Sequence, residues 1–165
     1  MAFAEKVPSA RNGVLDLREV SFEKSIPLEG EWLMKFGKLI APQSVDNVDF
    51  KPVEFPKRWK SARFEPELGC ATYRLLVLLP KNRPPLRMAI PPVYCSYRLY
   101  INGNLTTVNG SVSESPAAYV PYWKYEETRV PIDADSLWLT YQIANWSHSK
   151  GGSNNAIVLG EANKI

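Results

Sequence analysis

The residues that could do chemistry in this chain are few. One histidine, His148, sits in the stretch "IANWSHSKGG" at residues 143–152, where an apolar run gives way to polar residues and two glycines. A serine nucleophile needs a basic nitrogen beside it, and His148 is the single histidine able to serve. No G-x-S-x-G turn accompanies it, so acyl transfer has no further support in the sequence. Glycoside hydrolysis needs two carboxyl groups about 5 to 10 Å apart. None of the seventeen acidic residues lies in an aromatic or glycine-rich context that would mark such a pair.

One histidine also argues against a transition-metal centre. Cys70 and Cys95 lack C-x-x-C spacing and cannot by themselves close a tetrahedral zinc site. Both lie in strand-like sequence, which predicts buried free thiols, or a disulfide if the domain is exported. Calcium prefers carboxylate and carbonyl oxygens. Asp46, Asn47 and Asp49 in "VDNVDF" and Asp133 and Asp135 in "DADS" have ligand-like spacing, but these residue types are equally ordinary turn formers. The turn-forming role is the stronger reading, with a structural calcium as its alternative; no phosphate-cradling glycine loop is present, and no cofactor is expected.

What remains is recognition by aromatics beside amides and charges. A sugar offers a C–H face to a flat ring and hydroxyls to polar side chains, the usual division of labour in a small-ligand site. "FPKRWK" supplies Trp59 with Arg58 and Lys60, and "NWSHSKGG" supplies Asn145, Trp146, His148 and Lys150. Each of Trp59 and Trp146 could instead plug one end of a β-sandwich, and His148 could instead hold a turn. Asn145 is expected to cap the strand end. Trp32 and Trp138 are expected in the core.

The elements that must position these residues are strands. Fourteen prolines interrupt long helices, and five tryptophans and eight tyrosines favour β structure. Trp32, Met34 and Phe36 alternate along one face, and "KPVEFP" reads as an edge strand between prolines. "CATYRLLVLLP" reads as a central strand covered on both faces near its end, followed by "LRMAIPP". Cys95, Tyr97, Leu99 and Ile101 share one face of the next strand, and Asn102-Gly103 suits a two-residue hairpin turn into "NLTTVNG". Leu137, Leu139, Tyr141 and Ile143 alternate against Trp138, Thr140, Gln142 and Ala144, and "AIVLGEA" closes the chain. About eight antiparallel strands predict an all-β jelly-roll sandwich over residues 13–165, preceded by a tail at 1–12.

A net charge of +3 without a basic run excludes a nucleic-acid groove. No run approaches the ~20 apolar residues of a membrane helix. "AFA" near the start has the form of a signal-peptidase site. Asn104, Asn109 and Asn145 head N-x-S/T sequons, which matter only in a eukaryotic secretory protein.

Six segments in order, "LEGEW", "VEFPKRW", "GCATYRLLV", "YRLYINGNL", "NGSVSES" and "IANWSHSKGG" with "IVLGE", resemble the extracytoplasmic domain of bacterial seven-transmembrane receptors with diverse intracellular signalling modules. More loosely, the same skeleton is similar to the sugar-binding jelly roll of β-galactosidase-type glycoside hydrolases. The resemblance runs from Gly13 to Gly160. It implies a galactose-binding-like jelly roll outside the cytoplasm, tethered to the inner membrane through a following membrane region. Such a domain would sense a small ligand, often a carbohydrate, without catalysis. Ligand contacts are then expected from Trp59, Asn145, Trp146 and His148, with Arg74 of "ATYR" as a further contact or a structural ion pair. The alternatives are an accessory domain of a glycoside hydrolase, a dimerisation module forming a homodimer, and a hydrolase that uses His148.

Overall fold

A computed structural model describes residues 6–59, 68–148 and 150–165. The described chain is all-β, with short 3-10 turns at Pro42–Ser44 and Pro116–Ala118, and no helix long and apolar enough to cross a membrane. In chain order the strands are β1 (Val14–Asp16), β2 (Ile26–Pro27), β3 (Gly30–Phe36), β4 (Lys51–Phe55), β5 (Lys57–Trp59) and β6 (Gly69–Leu78). They continue as β7 (Leu86–Ile90), β8 (Ser96–Ile101), β9 (Asn104–Asn109), β10 (Glu126–Arg129), β11 (Ser136–Asn145), β12 (Gly151–Ser153) and β13 (Val158–Glu161).

A seven-stranded sheet runs β4-β3-β6-β11-β8-β9, with β1 alongside β6; a four-stranded sheet runs β10-β7-β13-β2. The pairings are antiparallel except that of β1 with β6. The long strand β6 is shared along one edge: β3 pairs with its residues 71–74 and β1 with residues 76–78. The alternation read in the sequence sets which side chains face inward. Tyr73, Leu75 and Val77 from β6, Leu137, Leu139, Tyr141 and Ile143 from β11, and Tyr97 and Leu99 from β8 form one core cluster with Leu86, Met88 and Ile90 from the opposing sheet. The jelly-roll expectation of a two-sheet all-β sandwich therefore holds, and β4 is the edge strand that its prolines require. Asn102 and Gly103 turn with φ of 50° and 83°, the positive values that a two-residue hairpin demands.

Two expectations are corrected. The doubly covered part of β6 is its start, where Gly69 to Tyr73 are all buried, while Leu76 and Leu78 near its end are half-exposed. The cover is a loop that hydrogen bonds pin to the outer face of the sheet. Thr72 Oγ1 donates to the Lys38 carbonyl and accepts from the Ile40 N–H, both at 2.8 Å, and Gln142 Nε2 donates to the Ile40 carbonyl at 2.8 Å. Trp138 is outside the core and 43% exposed, because it sits on the outer face of β11 beyond that loop. The sequons at Asn109 and Asn145 are closed to modification in the folded chain, since both asparagines are buried. Of the tail expected at 1–12, residues 1–5 (including "AFA") lie outside the described residues, and Ala10 is buried and bridged to Gly30.

The cysteines are free and buried. Cys95 lies in the main core, whereas Cys70 faces outward into a small second cluster with Val112 and Ala144, against which Leu39, Tyr119 and Trp146 pack. Cys70 stands opposite Ala144, and Ala144 opposite Ser96, so the thiols sit two strands apart on opposite faces of one sheet. That geometry forbids a disulfide between them. Burial pushes the Cys70 thiol up to about 11 and the Cys95 thiol up to about 12.

Candidate functional site

The two loops singled out in the sequence do meet. The "NWSHSKGG" segment returns as β12 and pairs with β5, placing Gly151 opposite Trp59 and Gly152 opposite Arg58. Gly152 is required there: its φ is +84°, and a Cβ would come within 2.9 Å of the Lys57 carbonyl oxygen. The ribbon drives Trp59 inward. Its indole is 2% exposed, donates to the Tyr73 hydroxyl at 2.7 Å and meets Phe36 edge-on at 5.4 Å. Trp59 is therefore a core plug, with no face left for a ligand. Lys60 lies outside the described residues.

Asn145 is also structural. Its Oδ1 accepts the His148 N–H at 3.0 Å, and its Nδ2 donates to the His148 carbonyl at 2.7 Å, closing the loop on itself. That is the strand-end cap expected of it. Trp146 is half-buried in the second cluster, and its indole N–H donates to the Ser113 carbonyl at 2.9 Å. Four of the five expected contacts are thus accounted for differently, or lie elsewhere: Trp59, Asn145 and Trp146 hold the fold, and Arg74 is on the outer face of the sheet.

His148 reaches a surface where other aromatics gather. Its ring stacks on Tyr94 with centroids 4.7 Å apart and planes 10° from parallel. Trp123 meets Tyr94 edge-on at 4.6 Å, and Lys150 Nζ lies 5.3 Å from the Tyr94 ring centre. Trp123 is 61% exposed, and its neighbours Tyr122 and Tyr125 are exposed as well. The loop carrying Trp123 is anchored from within. Asn109 Nδ2 donates to the carbonyls of Cys95 (3.1 Å) and Tyr122 (2.6 Å), and Ser111 and Val120 exchange backbone hydrogen bonds. The result is one ring, Tyr94, that joins an exposed indole, a histidine and a lysine.

Tyr94 and Trp123 escaped the sequence reading. The available signal was "PYWKY", three aromatics in four residues after a proline, in a segment with no alternation to send them inward. Tyr94 gave none, because it lies at the turn into β8.

The same loop argues against a hydrolase built on His148. Nδ1 accepts the Lys150 N–H at 3.0 Å, so the neutral ring carries its proton on Nε2 and keeps no free lone pair for a base. Among the described residues no three His, Cys, Asp or Glu side chains gather to hold a metal, and Asn47 takes the positive φ of a turn residue.

The outer face of the large sheet offers a second arrangement. The Arg74 guanidinium lies 4.5 Å above the Trp138 ring. Burial lowers its pKa, opposed by the nearby Asp46 charge. The expected ion pair is absent: no described carboxylate stands within ion-pair distance of Arg74, and its Nε is buried without an acceptor.

No sequence family matches the chain, and no curated relative does. Solved structures do. A β-glucuronidase from Faecalibacterium prausnitzii superposes with a TM-score of 0.63 at 13% identity, over 82% of this chain and 31% of the enzyme. A glycosyl hydrolase family 2 member from Bacteroides cellulosilyticus gives 0.62 at 12% identity, over 83% and 20%. A calcium-binding mutant of Bacteroides uniformis β-glucuronidase 2 gives 0.60 at 16%, over 82% and 18%. The shared property is the fold. This chain is a β-sandwich of the kind found as one part of family 2 glycoside hydrolases, spanning less than a third of the length of each of these enzymes.

Proposed function

We propose that this chain is a non-catalytic, carbohydrate-binding β-sandwich and that its ligand rests on Trp123, buttressed by Tyr94, with His148 and Lys150 reaching the sugar hydroxyls. The observation that carries the reading is an indole held 61% exposed on a loop whose anchor, Asn109, is itself buried. Isolated exposed aromatics need no explanation, but one braced from behind by a hydrogen-bonded frame is costly to leave open without a use. In the finer reading, the domain lies outside the cytoplasm as the ligand-sensing part of a membrane receptor. The ordered segments from "LEGEW" to "IVLGE" support it. Ligand would act on the receptor only through a difference in affinity between its signalling states. The second reading, an accessory domain of a glycoside hydrolase, is favoured by the enzymes that share the fold.

The test is a titration with a panel of neutral and acidic mono- and oligosaccharides, read by tryptophan fluorescence and NMR shifts. At least one sugar should perturb Trp123, and Trp123→Ala should abolish that response while the fold is retained. A panel that leaves Trp123 and His148 unmoved, with self-association of the domain instead, would replace this reading with a dimerisation surface.

A further inference from the structure

The outer face of the seven-stranded sheet carries a groove of about 390 Å³ lined by Pro42, Gln43, Arg74, Asn102, Trp138 and Thr140. We propose that this groove is a second binding site, separate from the Trp123 surface, for a ligand bearing a carboxylate next to an apolar face, as an acidic saccharide does.

The Arg74 Nε is buried without an acceptor, and no described carboxylate stands within ion-pair distance of its guanidinium. Burying a guanidinium N–H without an acceptor is unfavourable, because its desolvation is not offset by a hydrogen bond. Arginine elsewhere on this face behaves otherwise: Arg98 donates to the Val112 carbonyl at 2.9 Å.

The position of Arg74 is set by the sheet. It pairs with Thr140 of β11 and Leu33 of β3, two residues from the pairing of Leu76 with Trp138, so its side chain reaches along the outer face to the indole. The Arg74 Cζ lies over the Trp138 ring at 4.5 Å in the wall of the groove, and the terminal N–H groups of a guanidinium are the ones that meet a planar carboxylate. The exposed remainder of the indole lies alongside for an apolar contact.

The rest of the groove is braced. Asn102 spends its amide on β11, donating to the Ser136 carbonyl at 3.1 Å and accepting the Trp138 N–H at 2.8 Å. Trp138 is therefore held at its backbone by the hairpin turn, and the opposite wall is the loop that Thr72 and Gln142 tie down. Asp46 is the acidic group whose charge reaches Arg74. It favours a singly charged carboxylate over a dianion such as phosphate, since repulsion grows with ligand charge.

The experiment uses isotope-labelled protein titrated with methyl β-D-glucuronide, its neutral counterpart methyl β-D-glucoside, and inorganic phosphate. The Trp138 indole N–H is the reporter, assigned from Trp138→Phe. The glucuronide should shift Trp138, more weakly as salt is raised, and the glucoside should leave it unmoved. Arg74→Gln should weaken binding about tenfold or more, as the loss of a charge-assisted hydrogen bond predicts. Arg74→Lys should fall between, keeping the charge without the fork, and serves if the glutamine variant does not fold. Asp46→Asn should strengthen binding. The proposal is overturned if the glucuronide leaves Trp138 unmoved, if the glucoside matches it, if phosphate outcompetes it, or if both Arg74 variants bind as the parent does. Failure here is distinguishable from failure of the Trp123 surface, because the two tryptophans report separately.

Discussion

The two faces of the β6–β11 pair are made by the same two strands and could hardly differ more. Inward, Tyr73, Leu75, Val77, Leu137, Leu139, Tyr141 and Ile143 meet the opposing sheet and are buried along the whole length. Outward, the face is divided. One end, with Cys70, Thr72, Gln142 and Ala144, is sealed by loops, and the other leaves Arg74 and Trp138 open. Alternation alone makes two faces; whether a face becomes core, loop anchor or binding groove depends on what is laid across it.

Adjacent residues make that contrast measurable. Leu139→Ala, on the inner face, should destabilise the fold by about 2–5 kcal/mol in chemical denaturation, the cost of a cavity in a packed core. The two thiols give the next comparison, read from stability against pH. Burial raises both folded-state pKa values above the ordinary 9.0, to about 12 for Cys95 and about 11 for Cys70. A folded chain that holds its thiol protons longer than the unfolded chain keeps their full contribution below pH 9 and loses it as pH rises. Stability should thus fall from pH 9 towards 11 and 12, and Cys95→Ala should flatten the decline more than Cys70→Ala. The buried phenols of Tyr97 and Tyr141, also raised by burial, add to the same decline.

Smaller again is the loop seal. Thr72→Val keeps the shape of the side chain and removes both hydrogen bonds to the 38–40 loop, which should cost about 1–2 kcal/mol. Amide exchange of Ile40 should rise in the same variant; unchanged protection there would mean that the loop is held by other contacts. Trp138→Ala should cost least, about 1 kcal/mol or less, the worth of an exposed cation–π contact. A loss as large as that of Leu139→Ala would remove the distinction between the faces.

The seven strands of five or more residues were legible because each shows alternation or ends at a proline or a glycine-containing turn, as at Asn102-Gly103, and β13 was read from its apolar run "AIVLGEA". The short strands β1, β2, β5, β10 and β12 were not, since two to four residues carry no period and pair only because a neighbour presents an edge. The site was less legible than the fold. Trp59 and Trp146 share the local chemistry expected of ligand contacts, yet the β5–β12 ribbon turns one into the core and the second cluster takes the other. Trp138 erred in the opposite direction: an outward position in an apolar strand is buried only if something covers it.

The stretch around His148 divides the same way. By itself the sequence determined a strand ending at Asn145 and a turn that needs glycine at 152, because hydrogen-bonding type and backbone freedom are local properties. That His148 stacks on Tyr94 beside Trp123, and that Arg74 stands unpaired over Trp138, was decided by tertiary structure alone. Those partners come from segments far apart in the chain, and only the pairing of strands and the route of the loops set their distances.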